Sequence, residues 1–183
     1  HINFPMDISS YAVADAKAYI RNLARMRFNF IAFHSYPGQW YEVKRKDTME
    51  YAGNFFFFFL HDIPDNSLIK QHVHNKKTFS IPEIEAYYDD IPKRSRMAVN
   101  WLNEVMNEAK RTGMKVQLSF EPRNPSTDIA GTLETLKQIY RQYQQVDVIE
   151  IITEESGGWG PSNTAEQTKD ILTSFFGKDI LKD

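Results

Sequence analysis

The chain has no cysteine. That excludes disulfides, thiolate metal sites and a cysteine nucleophile, and it leaves the compartment open. Long apolar runs are missing as well: the longest, Phe55 to Leu60, is flanked by Asn54 and His61 and falls far short of the roughly 18 residues that span a bilayer. Charge of one sign is also absent. The 22 basic and 24 acidic residues are interspersed, give a formal net charge of -2 and include no like-charge run of five or more. Neither a polyanion nor a membrane surface is an expected partner, and nucleic acid in particular is not. The chain has no Gly-rich phosphate loop, since GGWG at 157–160 lacks the lysine and the spacing, and no G-x-S-x-G nucleophile elbow. Nor does it show an internal repeat or a signal-peptide pattern. Because it begins at His1, a processed chain or a piece of something longer is expected.

What is present suffices for one core. The chain is 183 residues, 42% hydrophobic and 14% aromatic, so a single α/β domain over 1–183 is expected. Ser9 and Ser10 precede Val13, Ala16, Ile20, Leu23 and Ala24 at helical spacing, which predicts a helix over about 10–27. FNFIAFHSYP then reads as a strand over 28–34, closed by Pro37-Gly38. The following stretch is aromatic, rich in His, Lys and Asp, and broken by Pro64, Pro82 and Pro92, so 41–94 is expected to be an irregular insert; within it FFFFFL reads as a buried strand.

Order returns after Pro92. Ala98, Leu102, Val105, Met106 and Ala109 predict a helix stopped by Gly113, and KVQLSFEP predicts a strand over 115–122. Ser126 or Thr127 caps a helix carrying Ile129, Leu133, Leu136, Tyr140 and Tyr143. VDVIEII is the next strand, and Asn163 with Glu166 fits a capping box opening a last helix. Alternating helices and strands imply βα units on a parallel sheet. A full (β/α)8 barrel takes about 250 residues, so the expected fold is about half of a TIM-type barrel, with a small open α/β sheet as the other reading.

In such folds the residues just past the C-terminal strand ends line the active site. By that rule the first strand delivers His34, Tyr36 and Trp40, the second Glu121 and Arg123, and the third Glu154, Glu155 and Trp159. Carboxylates beside a Gly-Gly turn and an indole suit a carbohydrate, and glycoside hydrolysis uses two carboxyls, one as acid and one as base or nucleophile. Glu121 with Glu154 or Glu155 would supply that pair as catalytic residues. His34, Tyr36, Trp40 and Trp159 would contact the sugar, and Arg123 would meet an anionic group such as a uronic carboxylate.

Each residue also has a plain structural reading. Glu154 and Glu155 would be a solvated loop, Glu121 and Arg123 an ion pair or a helix cap, His34 a hydrogen-bonded core histidine, and Trp40 and Trp159 loop packing. His72 and His74 lie two apart and share a face of any strand they occupy, but no carboxylate follows at ligand spacing, and His61-Asp62 is equally weak. No metal site is assigned there.

Three segments, NLARMRFNFIAFHSYP (22–37), EAKRTGMKVQLSFEP (108–122) and VDVIEIITEE (146–155), resemble the central barrel of polysaccharide-degrading glycoside hydrolases, most nearly the large α-glucuronidases of gut and soil bacteria. The first resembles the Arg-Met-Arg-hydrophobic-Asn passage that leads to His-x-Tyr-Pro in those enzymes. Related barrels such as hexosaminidases share similar passages. The resemblance implies a fragment holding about half of a barrel, with His34, Tyr36, Glu121 and Glu154 or Glu155 touching substrate. It also implies a secreted or periplasmic home in a bacterium that degrades polysaccharides.

Three functions compete. A glycoside hydrolase needs no cofactor and takes a carbohydrate substrate. A metal-dependent sugar isomerase or epimerase would use His34, Glu121 and Glu154 as ligands, against which stands the scarcity of paired His and Asp at strand ends. A non-catalytic carbohydrate-binding barrel module would need only the aromatics at 36, 40 and 159. Beyond the sugar, the expected partner is the rest of the barrel or a second copy of the chain.

Overall fold

A computed structural model describes residues 11–35, 41–45, 47–52, 83, 86–87, 89–120 and 129–152. In chain order they form α1 (Val13–Arg25), β1 (Phe30–Ser35), β2 (Tyr41–Arg45), β3 (Thr48–Ala52), α2 (Ile91–Arg111), β4 (Lys115–Phe120), α3 (Ile129–Arg141) and β5 (Val148–Ile151). Strands β1, β4 and β5 make one parallel sheet in that spatial order, and β2 and β3 make an antiparallel pair. The expected parallel α/β architecture is therefore present. The described residues form an open sheet and not a closed barrel.

The two helix-to-strand turns share one construction. At the end of α1 the chain turns through Arg27 at φ 68, and the Phe28 N–H reaches back to the Leu23 carbonyl at 3.1 Å. At the end of α2 it turns through Gly113 at φ 86, and the Met114 N–H reaches the Ala109 carbonyl at 3.0 Å. This is the left-handed Schellman stop, which satisfies carbonyls a helix end would otherwise leave bare. Glycine suits that backbone, whereas Arg27 holds it against its own Cβ. The starts differ. Asp90 caps α2 by accepting from the Lys93 N–H at 3.1 Å, and Pro92 sits in the first turn, where its missing N–H is harmless. Ala12 offers α1 no cap, and the Val13 N–H donates to Glu83 Oε1 at 2.8 Å instead.

Strand alternation decides which face is covered. Ile31 and Phe33 of β1 and Val116, Leu118 and Phe120 of β4 point to one side and are buried. They join one core with Ala16 and Ile20 of α1, Leu102 and Met106 of α2, and Leu136 and Ile139 of α3, so all three helices cover the same face. Each fully covered aliphatic side chain contributes about 1.5–3 kcal/mol. Lys17 pairs with Glu104 across α1 and α2, and Glu108, 5% exposed, is held by Arg21 at 3.1 Å and Arg111 at 2.9 Å.

Residues 41–52, inside the stretch expected to be irregular, are a short hairpin. Tyr41 and Val43 are buried, Tyr41 stands edge-on to Phe120 at 6.0 Å, and Ser95 of α2 donates to the Tyr41 carbonyl at 2.8 Å. The outer edge of β2 meets two glutamines one turn apart, Gln138 on α3 and Gln142 immediately after it. Gln138 accepts from the Lys44 N–H at 2.8 Å and donates to its carbonyl at 3.0 Å. Gln142, just past α3, does the same for Glu42 at 3.1 and 2.8 Å. Two carboxamides thus stand in for a neighbouring strand. Of the rest of the 41–94 insert, residues 83, 86–87 and 89–94 are described, and α2 begins inside it at Ile91, where Asp90 supplies the cap; FFFFFL lies outside the described residues, as does the helix expected from Asn163.

Candidate functional site

The face of the sheet turned away from the helices carries Phe30, Ala32 and His34 on β1, Lys115, Gln117 and Ser119 on β4, and Val148 and Glu150 on β5. Register aligns His34 with Ser119 and Ser119 with Glu150. Each is the last residue but one of its strand, so the three form a polar row across the sheet at its C-terminal ends. Three helix-covered strands thus bring a histidine, a hydroxyl and a carboxylate to one level.

The row is hydrogen-bonded on its β4–β5 side. The Ser119 hydroxyl donates to Glu150 Oε2, and Gln117 Nε2 donates to the same oxygen at 2.6 Å and to Ser119 Oγ at 3.0 Å. Ser119 is 3% exposed, so its hydroxyl forms a buried floor, while Glu150 stands exposed above it. Among the described residues, Glu150 Oε1 accepts no hydrogen bond. Partial burial lowers the pKa of His34, and the charge of Glu150 only partly opposes this. At neutral pH the imidazole is therefore uncharged.

The sheet behind the row is pinned from the helix side. The Tyr140 hydroxyl of α3 donates to the Leu118 carbonyl at 2.9 Å and the Glu150 carbonyl at 3.2 Å, tying β4 to β5 at the level of the row. Burial, and then the negative charge of Glu150, hold that hydroxyl well above its ordinary pKa, so it stays a donor. At the other end of β5, Asp147 accepts from the Val116 N–H at 2.8 Å and from Lys110 Nζ at 2.6 and 2.7 Å. The Lys110 hydrogen bond and then the Val116 N–H keep its carboxyl below the usual carboxylate range.

Chemically, the row is not a nucleophilic triad. That would require the serine hydroxyl to donate to the histidine and the histidine to be oriented by the acid, whereas the Ser119 hydroxyl donates its hydrogen bond to Glu150. Among the described residues no group of three or more His, Asp and Glu could hold a metal, and no helix is long and apolar enough to cross a membrane. The row instead suits a ligand that donates hydrogen bonds.

Of the residues singled out in the sequence, His34 lies in this row. Tyr36, Trp40, Glu121, Arg123, Glu154, Glu155 and Trp159 lie outside the described residues, as do His61, His72 and His74. The sequence reading does not single out Gln117, Ser119 and Glu150. The signal for them was the alternation in QLSF and VIEI, which sets each polar residue opposite the apolar ones; their convergence with His34 depends on a register that alternation alone does not give.

No protein-family model, curated protein or solved structure matches this chain. The chemistry of the site has therefore to be read from its own residues.

Proposed function

We propose that the chain is part of a carbohydrate-active glycoside hydrolase of polysaccharide-degrading bacteria, supplying about half of a (β/α)8 barrel and working through two carboxyls. The observation that carries this reading is the sheet: successive parallel strands follow chain order, their helices cover one face, and polar residues converge on the other at the C-terminal ends. A barrel wall is built this way, with the C-terminal strand ends and the loops after them lining the site, whereas a doubly wound sheet places helices on both faces. Glu121 is the residue after β4, and Glu154 and Glu155 follow β5 closely in sequence.

In this reading Glu121 and one of Glu154 and Glu155 are the acid and the base or nucleophile, with no cofactor. His34, Tyr36, Trp40 and Trp159 contact the sugar, and Arg123 meets a uronic carboxylate where the substrate has one. The substrate is a plant or microbial polysaccharide, and the enzyme works in the periplasm or outside the cell. The test is release of reducing sugar by the full-length protein from neutral and uronate-bearing plant glycans, with and without EDTA. Release that survives EDTA is expected. Turnover abolished by EDTA would point to the metal-dependent isomerase or epimerase, and binding without release to a carbohydrate-binding barrel module.

A further inference from the structure

We propose that the outer face of α1 pairs with the same face of a second copy of the chain, antiparallel across a two-fold axis, to form a weak dimer. The inference stands apart from the hydrolase reading, since no result of its test bears on Glu121, Glu154 or Glu155.

Spacing defines the face. α1 buries Ala16 and Ile20 in the core and turns Lys17 and Arg21 toward α2, where Glu104 and Glu108 pair with them. The opposite side carries Tyr11, Asp15, Tyr19, Asn22 and Met26, which follow one another at intervals of four, four, three and four residues and so make one ridge. All five are exposed. Tyr11, Tyr19 and Met26, at 39%, 40% and 68%, are three of the eight large apolar side chains that the described residues leave open, and apolar groups gathered in one place mark a contact surface more than scattered ones do.

The ridge is held in place before any partner arrives. The Tyr11 carbonyl accepts from Trp101 Nε1 at 3.1 Å, the rings of Tyr11 and Tyr19 meet edge to face at 6.4 Å, and an Arg25 guanidinium nitrogen donates to Asn22 Oδ1 at 3.0 Å. Side chains fixed in this way lose little freedom on docking.

The ridge is also its own complement. Positions 11 and 26 share one midpoint with positions 15 and 22, and Tyr19 lies beside it. An antiparallel copy therefore sets Tyr11 against Met26, Asp15 against Asn22 and Tyr19 close to the axis against itself, an isologous contact. Arg25, held by Asn22, then comes within reach of the partner's Asp15. Among the described residues neither Asp15 nor Arg25 has an ion-pair partner of its own. The helix dipole accounts for an acid early in α1 and a base late, but it does not call for Tyr19 or Met26. With 13 residues α1 is about 20 Å long. One helix pair covers less than the roughly 800 Å² a side of a standard interface, so a Kd of about 10–100 μM is expected.

The experiment is sedimentation velocity on the full-length protein from about 1 to about 300 μM, a range that brackets such a Kd. A monomer–dimer equilibrium is expected. Asp15→Arg or Arg25→Asp alone should weaken it at least about tenfold, because each sets like charges against one another twice in the dimer. The double variant Asp15→Arg/Arg25→Asp, and an equimolar mixture of the two single variants, should associate again to within about threefold of the wild type, because opposite charges then face each other. Tyr19→Ser should weaken the dimer by at least about tenfold without a change of charge, a reading that stands if a charge variant melts early. A monomer over the whole range would overturn the proposal. So would a dimer that both single variants, or a well-folded Tyr19→Ser, leave unchanged, and so would a loss that neither the double variant nor the mixture restores.

Discussion

Exchanging the residues at the two helix-to-strand turns tests whether α1–β1 and α2–β4 are equivalent units. Arg27 and Gly113 occupy the same left-handed position, at φ 68 and φ 86. A side chain in that conformation costs about 1–2 kcal/mol, and glycine gives back about 0.5–1 kcal/mol through the freedom of its unfolded chain. Arg27→Gly should therefore stabilise the protein by about 0.5–1 kcal/mol; Arg27 is exposed, so little packing is lost. Gly113→Ala should destabilise by a similar amount and no more, because a Cβ there meets nothing within 4 Å. The turns share no hydrogen-bond partner, so the double exchange should lie close to the wild type. Urea unfolding measures all three as shifts in midpoint at unchanged slope. Destabilisation by Arg27→Gly, or a neutral Gly113→Ala, would refute the reasoning.

Two further predictions concern the scaffold. Gln142→Ala removes the bonds to both backbone groups of Glu42 and should cost about 1–2 kcal/mol. It should also speed hydrogen exchange at the Glu42 amide; unchanged exchange there would mean that the glutamines do not hold the hairpin. The hydrogen bonds from Arg111 are the main cause holding the Glu108 carboxyl below the usual range, with Arg21 adding to them. A lowered carboxyl stabilises the fold above the unfolded pKa, about 4.3 for a glutamate, and that stability is lost as pH falls through the lower folded value. Glu108→Gln should therefore flatten the fall of Tm below about pH 4.3; an acid limb as steep as the wild type's would remove Glu108 from the account.

Much of the scaffold is legible in the sequence because its signals are local. Ala16 and Ile20, or Leu102, Val105, Met106 and Ala109, recur at helical spacing, and Gly113 marks the stop at the position where the chain turns. Arg27 marks an equivalent stop without the glycine that would announce it, which is why the strand expected from Phe28 begins at Phe30. The pairing of β2 with β3 is not legible in the sequence for a different reason. The hairpin's charged residues alternate with few apolar ones, and its outer edge is satisfied by glutamines about a hundred positions away. The site is divided in the same way. His34 was found because it ends an apolar strand, while Glu150 reads as one polar residue among isoleucines until register sets it beside Ser119.

The most direct test of the central claim is kcat for Glu121→Gln, Glu154→Gln and Glu155→Gln in the full-length protein on the glycan it degrades. A two-carboxyl hydrolase predicts that Glu121→Gln, and one of the other two, lowers kcat at least about a hundredfold, while the remaining neighbour keeps most of it. Wild-type turnover in all three variants would contradict it.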